Sequence, residues 1–396
     1  MTTNQAQLST DDPGGDAVRP VAVATAVASP SAAPRVAPPR KPFVQRAFGF
    51  AYHRGLRVLH RLDRLLLPWA AWGPRSAAFY YLLFNRSFAR EQHATVAGRL
   101  HHLRHEASSS VASVIVRRNI HRLEKGLCMT PPRDRFALDY IDETLKAYGN
   151  LLKSPQPLDL PLIRYAHDVL QAYFRATRWA AGARQPALFA RLNTQLPAGL
   201  APASEPAAPA PHHALPATEV QYAQFLALTR RRASVRSFLP KAVPRSAIEQ
   251  AVAAAAQAPS ACNRQPLRYV ALTDDPLKRQ LAQLPMGTAG YAEGIPVLLA
   301  VIGDLSAYPF ERDRHIIYID ASLANMQFML ALETQGLASC SINWPDMEAR
   351  ESQAAALLKL ASYERIVMLM AVGYPDPAGL VPHSEKKTVG EMLTWM

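Results

Sequence analysis

The chain has 396 residues, of which 49% are hydrophobic and 19% are charged. This composition excludes a wholly disordered protein, and the length is sufficient for about two or three folding units. Three cysteines lie far apart at positions 128, 262 and 340. They exclude a disulfide framework, provide no paired spacing for zinc, and favour a reducing, cytoplasmic setting. The net charge of +13 fits a nucleic acid, an anionic membrane or no specific partner.

The positive charge belongs to one part of the chain. Residues 1–217 contain 27 Lys and Arg against 14 Asp and Glu, whereas residues 218–396 contain 17 of each. The basic part has no recognised nucleic-acid motif and no regular interleaving of basic and aromatic residues, so we expect no nucleic-acid partner. Residues 218–396 carry no net charge, so their function has to be inferred from candidate binding and catalytic residues.

The chain begins with a Pro- and Ala-rich tail, residues 1–42, which we expect to be disordered because it lacks large apolar residues. Residues 43–195 are predicted to form a basic, helical domain. Apolar residues recur there at helical spacing, as in Val116, Ile120, Leu123 and Leu127.

A second Pro- and Ala-rich stretch, residues 196–217, is predicted to be an extended linker. Residues 218–396 are then expected to form a compact mixed domain. Its predicted helices are Ser246–Ala258 and Asp320–Gln335, and its predicted strands are Arg268–Thr273, Val297–Ile302 and Ile366–Val372.

The segment Leu65–Phe84 carries a single charge, Arg75, and approaches the length of a membrane span. Pro68 and the Gly73-Pro74 pair interrupt it, which argues against a true span. Flanking arginines and several Trp and Tyr residues leave two alternatives: a basic interfacial helix pair, or two core helices. A peripheral membrane contact is therefore expected within residues 43–100 if the first alternative holds.

Two short runs carry the chemistry of the C-terminal domain. The first, Arg230–Phe238, places clustered arginines and a Ser hydroxyl before a helix, and such donors suit a dianionic phosphate. The second, Ala258–Tyr269, contains Ser260, Asn263 and Gln265, whose polar groups suit the edge of a heteroaromatic ligand. Each run alone is equally typical of an ordinary surface segment or turn.

Together, and in this order, the runs resemble the FMN-dependent nitroreductase family. The matching residues are Arg232, Ser234, Arg236, Phe238, Pro259, Ser260, Asn263, Gln265 and Pro266. The long helix ending at Gly336-Leu337 and the turn Gly373-Tyr374-Pro375 continue the similarity, which covers nearly all of residues 218–396. The resemblance implies an α+β fold, a nitroreductase-like sandwich of sheet and helices, which acts as an intertwined homodimer.

The resemblance also implies roles for individual residues. Arg232 and Ser234 would contact the FMN phosphate, with Lys386 and Lys387 completing the clamp, and Arg236 would lie at the ribityl or pyrimidine part. Ser260, Asn263 and Gln265 would approach the same flavin from the other subunit. The stretch Ser341–Trp344 would pass flavin N5, which makes Asn343 and Trp344 the candidates nearest the reacting atom. No metal is expected.

The implied reaction is carried mainly by the cofactor. NADH or NADPH would deliver hydride to flavin N5, and a small organic acceptor, such as a nitro compound, a quinone or a biosynthetic intermediate, would take the electrons in ping-pong order. Departures from the family pattern include Leu267 after Gln-Pro and the bulky Trp344, which is expected to narrow the pocket. The alternative is therefore a catalytically altered flavin-fold scaffold or regulatory protein at a membrane surface.

The helical domain has its own motif in Arg117–Leu127, which contains His-Arg-Leu-Glu-Lys-Gly-Leu. It resembles a motif of long nitroreductase-like proteins that are associated with bacterial polysaccharide gene clusters. His121, Glu124 and Lys125 would form either a flavin-facing surface or a charged face docked on the second domain. The nearby His101, His102 and His105 have the spacing of a metal pair, but solvent exposure is the expectation for them.

Overall fold

The computed structural model describes residues 63–155, 157–197, 200, 206–273 and 275–396. The predicted tail at 1–42 lies outside these residues, as do parts of the predicted linker. The backbone divides into two units, of which the first, residues 1–68, is described only over 63–68. The second unit, residues 69–396, contains a helical region (residues 74–193) and a sheet region (residues 222–396).

Over its described residues the helical region contains six helices, of which the last four surround one apolar core. They are α1 (Pro74–Leu83), α2 (Ala89–Arg104), α3 (Ser109–Leu127), α4 (Ile141–Leu152), α5 (Leu160–Ala176) and α6 (Arg184–Asn193). The predicted face of α3 is confirmed, because Val116, Ile120 and Leu123 are fully buried against α4 and α5. The Ser108 side chain accepts a hydrogen bond from the amide of Val111 and so begins α3.

Where the structure describes it, the sheet region contains six α-helices and four strands. The helices are α7 (Tyr222–Arg231), α8 (Arg245–Ala255), α9 (Asp275–Ala282), α10 (Ile316–Thr334), α11 (Glu348–Leu358) and α12 (Val389–Met392). The strands are β1 (Leu267–Leu272), β2 (Val297–Asp304), β3 (Ala338–Asn343) and β4 (Glu364–Gly373). They pair antiparallel in the order β1-β2-β4-β3.

Helices cover both faces of this sheet. Alternate residues of β2 point to opposite sides: Val297, Leu299 and Val301 pack against α8 and α10, while Leu298, Ala300 and Ile302 pack against α9 and α11. This explains why β2 is a continuous apolar run and not an alternating one. The predicted α+β sandwich of sheet and helices is confirmed.

Strand β3 was not predicted as a strand, because its Ala-Ser-Cys-Ser-Ile-Asn sequence has little of the large or β-branched apolar character of strands. The segment forms a strand because its backbone pairs with β4, although its own strand propensity is low. The central helix α10 begins at Ile316, one turn before its predicted start. His315 and the short turn at 311–313 precede it, and these carry no clear capping signal.

The helical and sheet regions meet along α2. Gly98 lies so close to the turn Leu305–Ala307 that a Cβ would be 2.7 Å from the carbonyl carbon of Leu305. Arg90 donates to Glu351 at 3.1 Å, and His102 Nδ1 lies 2.8 Å from the carbonyl oxygen of Ser306. The two regions are therefore joined by close backbone packing and by buried polar bonds.

No helix within the described ranges is long and apolar enough to cross a membrane.

Candidate functional site

A basic cavity of about 810 Å³ lies between the end of α7 and the C-terminal segment. Its walls include Arg230, Arg231, Arg232, Ser234 and Lys386, together with one carboxylate, Glu385. Arg231 is paired with Glu333 at 3.4 Å, whereas Arg232 has no ion-pair partner in the part of the chain that the structure describes. The donors present, planar guanidiniums, a hydroxyl and an ammonium, fit a phosphate dianion.

Local backbone pairing holds the Arg232–Phe238 segment in place. The amide of Val235 donates to the carbonyl of Ser339 at 3.1 Å, and Ser234 forms a parallel bridge with Ser339 at the edge of β3. Farther on, Phe238 forms an antiparallel bridge with Pro375. The segment therefore runs along the edge of the sheet, which fixes Ser234 at the basic cavity.

A second cavity, of about 280 Å³, lies beside the last residues of β3. Arg236, Tyr291, Ser341 and Asn343 line it, and the Arg236 guanidinium lies 5.9 Å from the centre of the Tyr291 ring. Burial raises the pKa of Tyr291 to about 12, reinforced by Cys340 and opposed by Arg236. At neutral pH, Tyr291 is therefore an uncharged residue of the cavity wall, next to the exposed guanidinium of Arg236.

The Trp344 side chain does not narrow this cavity, contrary to the expectation from sequence. Its ring lies in the core with α9 and α11, and the indole N–H donates to the buried carboxylate of Glu351. Glu351 also accepts from Arg90 and lies 3.6 Å from Arg365. A buried acceptor for the indole explains why the ring turns inward. The backbone amide at Asn343–Trp344 stays the predicted group near flavin N5.

The loop of residues 259–266 (the 259–266 loop) is anchored on α10 through Asp320. The Ser260 hydroxyl donates to Asp320 Oδ2 at 2.6 Å and accepts from the amide of Gln265 at 2.8 Å. The amide of Ala261 donates to both Asp320 oxygens, at 3.2 and 3.1 Å. Burial raises the pKa of Asp320, while these hydrogen bonds and the charge of Arg264 oppose that shift.

Three residues of this loop have left-handed backbone: Cys262 and Asn263 at φ 53° and 52°, and Gln265 at φ 52°. For residues other than glycine this conformation is costly and needs support from surrounding contacts. Arg264 supplies part of it, because its largely buried guanidinium lies 5.1 Å from the centre of the Tyr308 ring. Sequence reasoning did not identify Asp320 and Arg264, although a carboxylate near the start of an apolar helix was an available signal.

The structure distributes the predicted site residues among three cavities. Arg232, Ser234 and Lys386 share the basic cavity, whereas Arg236 and Asn343 share the second. Ser260 and Gln265 line a third, of about 480 Å³, between α8 and β1. Asn263 is joined to Gln265 by a 2.8 Å hydrogen bond. Lys387 is exposed and is not among the residues that line the basic cavity.

The described residues contain no group of three or more His, Cys, Asp and Glu side chains arranged to hold a metal ion. The expected exposure of the histidine cluster is wrong for His102, which is 3% exposed. Its bond to the Ser306 carbonyl places it between the two regions. His101 stacks on His105 with ring centres 4.2 Å apart.

The sheet region is similar to known proteins. The model of the nitroreductase family matches residues 229–300 and 286–374. An NADH dehydrogenase of Thermus thermophilus is 30% identical over 192 residues, which are 41% of this chain and 90% of that protein. Iodotyrosine deiodinase 1 of Rattus norvegicus is 23% identical over 43% of this chain and 68% of its own length.

A solved structure of a nitroreductase family protein from Streptococcus pneumoniae TIGR4 is 24% identical, with a TM-score of 0.38. The match covers 43% of this chain and 100% of the Streptococcus pneumoniae chain. The sheet region is that of a flavoprotein oxidoreductase. The chain belongs to the nitroreductase family, whose members are generally FMN-dependent and use NAD(P)H.

Proposed function

We propose that the chain is an FMN-dependent oxidoreductase that takes electrons from NADH or NADPH and reduces a small organic acceptor. The observation that carries this proposal is the basic cavity, where Arg230, Arg231, Arg232, Ser234 and Lys386 converge. A cavity with this donor set suits the phosphate of FMN. When bound, FMN would supply the chemistry, accepting a hydride from the nicotinamide and passing electrons on in ping-pong order.

In this proposal the protein's own residues bind FMN and orient it. Arg232, Ser234 and Lys386 hold the phosphate, with Lys387 as an additional cation. Arg236, beside the second cavity, favours negative charge at the ring end of the ligand. The backbone amide at Asn343–Trp344 orients the reacting edge, and Ser260, Asn263 and Gln265 approach from the 259–266 loop. No side chain of the protein acts as a nucleophile in this proposal.

A homodimer completes the proposed site. The central helix α10 exposes Ile319, Leu323 and Met326 to 53%, 43% and 37%. These residues are spaced i, i+4 and i+7 and therefore lie on one helix face. An apolar stripe of this kind is typical of an interface between subunits. Dimerisation through α10 would bring the 259–266 loop of one subunit toward the basic cavity of the other.

We also propose a peripheral contact with an anionic membrane through the described part of residues 43–100. Helix α1 exposes Phe79, Leu82 and Leu83 to 55%, 72% and 65%, with Arg75 and Arg86 at the two ends of this stripe. Apolar side chains flanked by arginines suit the headgroup boundary of an anionic bilayer. All three cysteines are free thiols, consistent with a location on the cytoplasmic side.

Absorbance spectroscopy of the purified full chain tests the proposed function. The protein is expected to carry FMN, or to take it up, and the flavin band should bleach anaerobically with NADH or NADPH. Reoxidation by nitrobenzoate, a quinone and iodotyrosine, the last chosen because of the deiodinase relatives, identifies the acceptor class. A protein that cannot be loaded with FMN contradicts the proposal, whereas loading without bleaching supports the alternative of a scaffold or regulatory protein.

A further inference from the structure

Arg90 of helix α2 joins the helical region to the beginning of helix α11 in the sheet region. Its Nε donates to Glu351 Oε2 at 3.1 Å, and its Nη1 donates to Glu348 Oε1 and to Ser352 Oγ, each at 3.1 Å. These three acceptors are spaced i, i+3 and i+4 and therefore lie on one face of α11. A guanidinium presents several donors in one fixed plane, so this single side chain fixes the beginning of α11 relative to α2.

Glu351 is a buried carboxylate, with a side chain only 4% exposed, that the two regions share. Its Oε2 accepts from Arg90, and its Oε1 accepts from the indole N–H of Trp344. Arg365 Nε lies 3.6 Å from Oε2, which is too far for a hydrogen bond. A buried carboxylate needs a hydrogen-bonded cation, so the charge and the orientation of Glu351 depend on a residue of the helical region.

Trp344 connects this carboxylate to the second cavity. Its two neighbours in sequence, Asn343 and Pro345, both line that cavity at the end of β3. The indole ring itself is buried in the core between the sheet and helices α9 and α11. The segment 343–345 therefore forms a cavity wall whose position depends on where Glu351 holds the indole.

We propose that Arg90 and Glu351 are positioning residues of the second cavity, which place the wall at 343–345 against the ring end of the bound flavin. The inference rests on the proposed function. Arg90 orients Glu351, and Glu351 holds Trp344, so the helical region acts on the cavity through the beginning of α11. None of these residues lines the basic cavity, so the effect is expected at the flavin ring and not at the phosphate.

Titration of the full-length apoprotein with FMN and with riboflavin, which lacks the phosphate, tests this inference. Arg90→Ala removes the three bonds to α11 but leaves the basic cavity unchanged. The affinities for FMN and riboflavin should therefore fall by the same factor, about threefold to tenfold. The absorbance band of the bound flavin should also shift, because the surroundings of its ring change. A loss of overall stability alone does not move this band.

Arg99→Ala is the matched control. Arg99 lies on the same helix and pairs with Glu311 of the sheet region, but neither residue lines the second cavity. This variant should keep both affinities and the spectrum. Trp344→Phe keeps an aromatic ring but removes the indole N–H, and it should lower both affinities even if Arg90→Ala fails to fold. Arg90→Ala should add little in the Trp344→Phe background, because both substitutions act through Glu351.

Wild-type affinities and spectra in Arg90→Ala or in Trp344→Phe would overturn the inference while leaving the proposed function intact. An equal loss in Arg99→Ala would also overturn it, since the effect would then reflect docking of the helical region in general. A loss confined to FMN would place the effect at the basic cavity, and additive effects of the two substitutions would exclude the path through Glu351. A wild-type chain that binds neither flavin would overturn the proposed function and this inference with it.

Discussion

The hydroxyl of Ser260 donates a 2.6 Å hydrogen bond to Oδ2 of Asp320, and so joins the 259–266 loop to the central helix α10. The same hydroxyl accepts from the amide of Gln265 at 2.8 Å. One side chain therefore stabilises both ends of a loop whose backbone is partly left-handed. Ser260 is one of the residues predicted to contact the flavin. In the structure, its hydroxyl holds the 259–266 loop on α10.

Ser260→Ala should destabilise the protein. The substitution removes a hydrogen bond to a carboxylate and leaves the Gln265 amide without its acceptor, which we expect to lower the free energy of unfolding by about 2 kcal/mol. Urea unfolding measures this. Ser237→Ala, which removes a single 3.2 Å bond to Asp376, is the control and should cost less than about 1 kcal/mol. Equal costs for the two variants would contradict the anchoring role.

Arg232→Ala should weaken FMN binding by about tenfold to a hundredfold, because a charge-assisted bond to phosphate is lost. Riboflavin, which has the same ring but no phosphate, should bind both proteins equally. Fluorescence titration with the two ligands separates the phosphate contact from ring contacts. An equal loss of affinity for riboflavin would place Arg232 elsewhere in the site.

His102 should make stability depend on pH. Burial lowers its pKa, Arg118 adds to the lowering, and the Ser306 hydrogen bond, Glu106 and Glu143 oppose it. Because the unfolded chain binds the proton more readily, stability is complete above pH about 6.5 and falls as the pH drops below it. His102→Gln should cost about 1 kcal/mol at pH 7.5 and flatten this fall.

Thermal unfolding of both proteins from pH 7.5 to 5 provides the measurement. Since His102 lies where α2 meets the turn Leu305–Ala307, the transition should also report on the contact between the helical and sheet regions. If the stability of His102→Gln depended on pH in the same way as that of the wild-type chain, other groups would be responsible for the loss of stability at low pH.

Leu323→Glu should disrupt the proposed homodimer, because it places a charge in the apolar stripe of α10. Light scattering after size-exclusion chromatography should show a monomer, and FMN should be lost with the second subunit. Leu138→Glu, at a residue 52% exposed outside α10, is the control and should leave the mass unchanged. A Leu323→Glu protein with the wild-type mass would exclude α10 as the interface.

Replacing Phe79, Leu82 and Leu83 together with Ser should reduce sedimentation with vesicles that contain phosphatidylglycerol by about tenfold or more. Binding of the wild-type chain should weaken with added salt and with neutral lipid, because the flanking arginines contribute electrostatically. Leu138→Ser is the matched control. Undiminished sedimentation of the triple variant would exclude α1 as the membrane contact.

The sequence by itself determined the nature of both regions and the residue types of the site. The apolar spacing of α3, the continuous apolar run of β2, and the ordered pair of runs at Arg230–Phe238 and Ala258–Tyr269 are local patterns. Each pattern is visible without knowing what packs against it. For the same reason Arg232 and Ser234 could be named as candidate phosphate-binding residues before the fold was known.

Only the tertiary structure decided what holds these residues and where their side chains point. Trp344 turns into the core because Glu351 offers a buried acceptor there, and Asp320 supports the 259–266 loop from 60 residues away. Such contacts depend on burial and on partners distant in the chain, and local patterns carry no information about either.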